Sequence, residues 1–159
     1  PYIELPKKLT VKENLIVYAR LYNVNKLNDR IDYLVETLNL KNFINQKTGE
    51  LSSGQKNRVS LAKSLINTPS ILLLDEPTAS LDPDTGDFVR SFLEKYIKEN
   101  TVSILLASHN MNEVKRLCSN VLMMKNGKII DEGTPNQLLK KHGQDNLEEV
   151  FLKLSRNEK

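Results

Sequence analysis

A single cysteine, Cys118, occurs in 159 residues. That excludes an intrachain disulfide and fits a reducing compartment. No apolar run approaches the roughly 18 residues of a membrane span, and no signal peptide is visible. Charge of either sign is not in excess. The formal net charge is +3, with basic and acidic residues interspersed, so no basic block marks a nucleic-acid patch. Internal repeats and low-complexity tracts are also missing. So is the loop G-x-x-x-x-G-K-[ST], whose amides cradle phosphates. The nearest approach runs from Gly49 through Gly54, but Gln55 takes the place of the lysine. The first residue is Pro1 rather than Met, which reads as a cut or processed N-terminus.

What is there is a chain of ordinary globular composition, 39% hydrophobic and 27% charged, one domain or part of one. Thr10 and Glu13 form a capping box ahead of a helix with Leu15, Tyr18, Ala19 and Tyr22 on one face. A second helix carries Ile31, Leu34, Val35 and Leu38, and residues 41–50 read as a loop. A helix after Gly54 buries Val59, Ala62, Leu65 and Ile66. Residues 70–74 and 101–107 are short continuous apolar runs, predicted as strands covered on both faces. Between them a helix from Pro83 presents Phe88, Phe92 and Tyr96. Asn110 and Glu113 cap a short helix ending near Cys118, which reads as a small core residue. Asn126-Gly127 joins two hairpin strands. Thr134, Pro135 and Gln137 open another helix. His142, at its polar end, reads as a surface residue. A last helix shows Leu147, Val150, Phe151 and Leu154. Helices first, then strand–helix–strand–helix, then a hairpin and helices, predict an α/β fold with a helical lobe ahead of the sheet.

Three places carry chemistry. The strand at 71–74 ends in Asp75 and Glu76, where ligands bind in open α/β sheets. Asp75 suits Mg²⁺, which favours oxygen ligands. Glu76 suits orientation of a water near a phosphate, against the plainer reading of two solvated acids. The loop Leu51-Ser52-Ser53-Gly54-Gln55 combines hydroxyls, a bare backbone and a helix N-terminus, an anion-binding combination. Its plainer reading is an N-cap at Ser52 or Ser53. His109 follows the second strand, where it could donate to a phosphate oxygen or simply face water.

Taken together and in this order, these stretches resemble the ATP-binding cassette (ABC) ATPase family. Leu51-Ser-Ser-Gly-Gln55 looks like its signature loop, with Ser53 where Gly is commonest. Ile71-Leu-Leu-Leu-Asp75-Glu76 looks like its Walker B strand and catalytic glutamate. Ser80-Leu81-Asp82 looks like its D-loop, and His109 like its switch histidine. The resemblance implies a P-loop NTPase-like parallel-sheet core, incomplete here. It divides the chain into a helical subdomain (1–50), a portion of the ATPase core (51–133) and a helical tail (134–159). It implies ATP and Mg²⁺ as ligands, with Asp75 on the metal and Glu76 and His109 as catalytic residues. Ser52, Ser53, Gly54 and Gln55 would face ATP held by a second ATPase domain packed head to tail, with Asp82 at the seam. The expected P-loop and Q-loop glutamine are not found, the latter belonging near Pro1. The expectation is therefore the C-terminal part of a transporter ATPase that does not hydrolyse ATP alone. It would work with membrane permease subunits at the cytoplasmic face, without nucleic acid. The tail from Gly133 to Leu154 resembles the subgroup serving multidrug, lipid or polysaccharide exporters. The alternatives are a non-transport ABC ATPase and a non-catalytic binding or regulatory module.

Overall fold

The computed structural model describes residues 5–79 and 81–156. Ser80, in the D-loop-like turn, and the Pro1 position near which the resemblance puts a glutamine lie outside them. The chain forms two compact units, Pro1–Leu105 and Leu106–Lys159.

In the first unit, helix α1 (Val11–Leu21) starts where the capping box predicts. Thr10 Oγ1 accepts from the Glu13 amide at 3.2 Å, and the Thr10 amide donates to Glu13 Oε2 at 2.7 Å. Helix α1 packs on α2 (Leu27–Thr37) and α3 (Ser53–Leu65). Its buried face is Val11, Asn14, Leu15 and Ala19. Asn14 is the polar member, and its Nδ2 donates to the Thr10 carbonyl at 2.9 Å. Residues 41–50, expected as a plain loop, hold two 3₁₀ turns, Lys41–Phe43 and Thr48–Glu50. They fold back over the start of α1, where the Val11 and Lys12 amides donate to the carbonyls of Gln46 and Ile44. Buried Thr48 Oγ1 donates to the Pro6 carbonyl at 2.9 Å.

Helix α3 buries Val59, Ala62 and Leu65, as its periodicity predicts, and also Leu61; Ile66, just beyond its end, is buried too. Strand β1 (Ile71–Asp75) leads through α4 (Pro83–Glu99) to β2 (Ser103–Ala107), and the two strands pair. Helix α4 buries Val89, Phe92, Leu93 and Tyr96. Two of the three predicted positions, Phe92 and Tyr96, are thus buried, with Val89 and Leu93 widening the stripe, and Phe88 is half-buried. The expectation that both strands are covered on two faces is wrong. Leu72 is buried, yet Ile71, Leu73 and Leu105 are 66%, 69% and 64% exposed. Residues alternate along each strand between a more covered side, where only Leu72 is buried, and a side that the described residues leave uncovered. A continuous apolar run does not distinguish the two cases.

In the second unit, β3 (Val121–Lys125) and β4 (Lys128–Gly133) form the expected antiparallel hairpin. Asn126 and Gly127 have φ of 50° and 73°, the pair of positive values that a two-residue turn of the favoured hand requires. Register is irregular between Met123 and Met124: Met124 pairs with Ile129 but Met123 with Asp131. Helix α5 (Met111–Leu117) precedes the hairpin; α6 (Pro135–His142) and α7 (Leu147–Arg156) follow it. Their core is Val114, Val121, Met123, Leu138, Leu147 and Val150, with Cys118, Phe151 and Leu154 packed at its edge.

His142 is not the surface residue that its place at a helix end suggests. Its Nε2 lies 2.6 Å from Asp131 Oδ2, and Lys141 Nζ lies 2.6 Å from Oδ1. The Asp131 side chain is only 6% exposed. Hydrogen bonds from Lys141 and His142 hold its carboxyl down at about 2, below the usual carboxylate range.

Candidate functional site

The loop ahead of α3 is built by its own capping. Ser52 is the N-cap: its Oγ accepts from the Gln55 amide at 3.3 Å, and its amide donates to Gln55 Oε1 at 2.9 Å. The plainer reading of this loop is therefore realised, without conflict with an anion site, since the first-turn amides beyond the cap have no helical acceptor. Gly54 is buried, and the reason is steric. A Cβ there would lie 3.2 Å from Thr85 Cγ2 in α4. Any larger residue there would require Thr85 to give by a few tenths of an ångström.

Asp82, the last residue of the D-loop-like turn, is the N-cap of α4. Its Oδ1 accepts from the Thr85 amide at 3.0 Å, and hydrogen bonds from Thr85 hold its carboxyl below the usual range. The two caps thus meet on one residue: Thr85 satisfies Asp82 and abuts Gly54.

Asp75 ends β1, and Glu76 follows with φ of +48°. A non-glycine residue at left-handed φ costs of order ~1–3 kcal/mol and persists only where the surroundings hold it. Pro77 adds a further restriction, because a proline disfavours right-handed helical geometry in the residue before it. The turn is closed by the Ala79 amide donating to the Glu76 carbonyl at 3.1 Å. It is also held from α3, where Asn57 Nδ2 donates to the Pro77 carbonyl at 2.7 Å.

These groups share a groove of about 910 Å³ lined by Ser53, Lys56 and Asn57 of α3 and by Asp75, Glu76 and Pro77 after β1. The structure therefore brings Ser53, Asp75 and Glu76 together. Ser52 and Gln55 are joined to them through the cap, and Gly54 and Asp82 through Thr85. His109 is exposed in the second unit, between β2 and α5. There Asn110 caps α5, accepting from the Asn112 and Glu113 amides, and Ser108 Oγ donates to Glu113 Oε2 at 2.6 Å. Among the described residues no group of three or more His, Cys, Asp or Glu could hold a metal. One carboxylate at a strand end fits Mg²⁺, which is commonly held by one or two carboxylates with substrate phosphates and waters. The residues missed from sequence are Asn57 and Arg58, both on α3. Arg58 Cζ lies 5.1 Å from the Phe43 ring and 5.9 Å from that of Phe88.

Comparison with known proteins gives consistent results. A family model described as ABC transporter matches residues 3–79. The chain is 33% identical over 147 residues to the ABC transporter ATP-binding protein NatA of Bacillus subtilis, covering 91% of this chain and 59% of NatA. It is 34% identical to the Nod factor export ATP-binding protein I of a Rhizobium species, covering 92% of this chain and 49% of that one. It is 38% identical to the methionine import ATP-binding protein MetN 4 of Oceanobacillus iheyensis, covering 81% and 38%. The chain thus spans well under two thirds of the length of these relatives. Among solved structures, an ATP binding subunit of an ABC transporter superposes with a TM-score of 0.84 at 22% identity, covering 96% of this chain and 65% of that one. A dimeric post-hydrolysis structure of the ATP-binding cassette MJ0796 bound to ADP and Pi gives 0.74 at 27% identity, covering 82% and 59%. No helix among the described residues is long and apolar enough to cross a membrane.

Proposed function

Because this chain belongs to the ABC transporter ATP-binding family, we propose that it forms part of the ATP-hydrolysing component of a membrane transporter. The observation that carries the reading is the placement of Asp75 and Glu76 at the end of β1, in one groove with Ser53 of α3. The carboxylate of Asp75 would hold Mg²⁺, which supplies charge neutralisation on the phosphates of ATP. Glu76 orients the attacking water, and His109 donates to a phosphate oxygen. Ser52, Ser53, Gly54 and Gln55 present hydroxyls and first-turn amides to ATP held mainly by a second ATPase domain, with Asp82 at the seam. The dimeric MJ0796 structure supports a paired arrangement. The component docks peripherally on permease subunits at the cytoplasmic face.

The 159 residues contain no phosphate-cradling glycine loop, so we expect no turnover from the isolated chain. We assign export as the direction on the resemblance of the tail from Gly133 to Leu154. The relatives include both an exporter and an importer by name, so vesicle transport assays decide direction independently of ATPase activity. The test of the site is Glu76→Gln in the whole expressed open reading frame. Phosphate release should fall by roughly 10²–10⁴-fold, with ATP binding retained. Undiminished release would refute the role given to Glu76.

A further inference from the structure

The left-handed φ of Glu76 is restrained both from within its own turn and from α3. The Ala79 amide closes the turn onto the Glu76 carbonyl. That bond fixes the exit of the turn but not its attitude to the groove. The second restraint comes from 20 residues away: Asn57 Nδ2 donates to the Pro77 carbonyl at 2.7 Å. The peptide it grips is the next along from Glu76. Pro77 cannot rotate freely about φ, so gripping its carbonyl restricts the whole Glu76–Pro77 unit. Asn57 itself is half-buried on α3, about one turn beyond the capping box at Ser52 and Gln55.

We propose that Asn57 is a positioning residue for Glu76. Its side-chain amide holds the Glu76–Pro77 backbone against α3 and so sets where the Glu76 carboxylate points in the groove. The proposal rests on the reading of Glu76 as the water-orienting acid. It adds a physical link between two parts of the site that the reading assigns to different ATP molecules. The loop that caps α3 faces one nucleotide and Glu76 serves the other. Asn57 joins the helix of the first to the backbone of the second, so a shift of α3 is felt at Glu76 through one hydrogen bond.

The test uses Asn57→Asp, which keeps the shape and removes the donor, and Asn57→Gln, which restores an amide on a longer arm. Both are made in the whole expressed open reading frame, with its nucleotide-binding partner if that is a separate chain. Asn57→Asp should lower kcat by about tenfold or more while the KM for ATP stays within about twofold, as misplacement of a reacting group without loss of binding predicts. Asn57→Gln should recover most of that loss. Hydrogen exchange supplies a readout that does not need turnover. In Asn57→Asp the Ala79 amide should exchange about tenfold faster or more, with protection across α3 and α4 unchanged. Unchanged exchange at Ala79 overturns the proposal, as does loss of protection throughout the first unit, which marks a merely structural role. The reading beneath fails differently: Glu76→Gln then retains full hydrolysis, while the exchange at Ala79 still reports whether Asn57 holds the turn.

Discussion

Arg58 lies where competing effects can be weighed. Its guanidinium lies over the rings of Phe43 and Phe88, and Nη1 donates to the Asn39 carbonyl at 3.2 Å. One cation–π contact contributes about 0.5–1 kcal/mol when exposed and ~2 when desolvated. A hydrogen bond from a charged donor adds roughly 1.5–3 kcal/mol. Against these, burial pulls the guanidinium pKa below its usual value, an effect that the Asp82 carboxylate opposes. Buried Nε has no hydrogen-bond partner among the described residues, a cost of about 1–3 kcal/mol. The favourable contacts win by roughly 2 kcal/mol. Arg58→Met, which keeps the length and apolar stem, should therefore destabilise the expressed protein by about that amount, a loss of ~1 M in urea midpoint at ordinary slopes. Arg58→Lys should recover less than half, since an ammonium neither stacks nor forks as a guanidinium does. Urea unfolding followed by circular dichroism measures both. A methionine variant as stable as the parent, or more so, would show that desolvation outweighs the stacking.

Two further outcomes follow from the caps and the Asp131 carboxylate. Ser52→Ala removes the acceptor for the Gln55 amide and should cost about 1 kcal/mol, read as faster exchange in the first turn of α3; an unaltered first turn would refute the cap. Asp131→Asn tests the clasp in the second unit. Because the carboxyl sits at about 2 rather than 3.8, its contribution is fully present above ~3.8 and is lost as pH falls toward ~2. The parent should thus be more stable than the variant at neutral pH, and the gap should close on acidification across that window. A gap that widened on acidification would show that the sign is wrong.

The features legible in the sequence are those whose partners lie within four residues. The capping boxes at Thr10 and Thr134 are present, the N-cap read at Ser52 or Ser53 falls on Ser52, and the Asn126-Gly127 turn is there. Each is a local hydrogen-bond or φ requirement that only certain side chains meet. The acid-ended strand and the polar loop were visible in the same way, and the fold brings them to one groove. What stayed hidden depends on pairs far apart in the chain. Asn57 reaches Pro77, Arg58 reaches Phe43 and Phe88, and His142 reaches Asp131. None of these residues breaks a local pattern. The error over β1 and β2 has a different origin: Ile71, Leu73 and Leu105 satisfy the pattern of a strand buried on both faces, and apolar identity alone does not say what lies against them.

The register slip in the hairpin decides more than the pairing of two strands. In an unbroken ladder the residue opposite Met123, on the packed side, would be Ile130. The slip gives that place to Asp131 and leaves Ile130 38% exposed. The second unit has thereby exchanged an isoleucine for a carboxylate on its inner face. Lys141 and His142 at the end of α6 grip that carboxylate. A hairpin one residue shorter, without Ile130, would present the same cross-strand partners on both sides of the gap. The ladder accommodates the extra residue, and the slip keeps Asp131 within reach of Lys141 and His142.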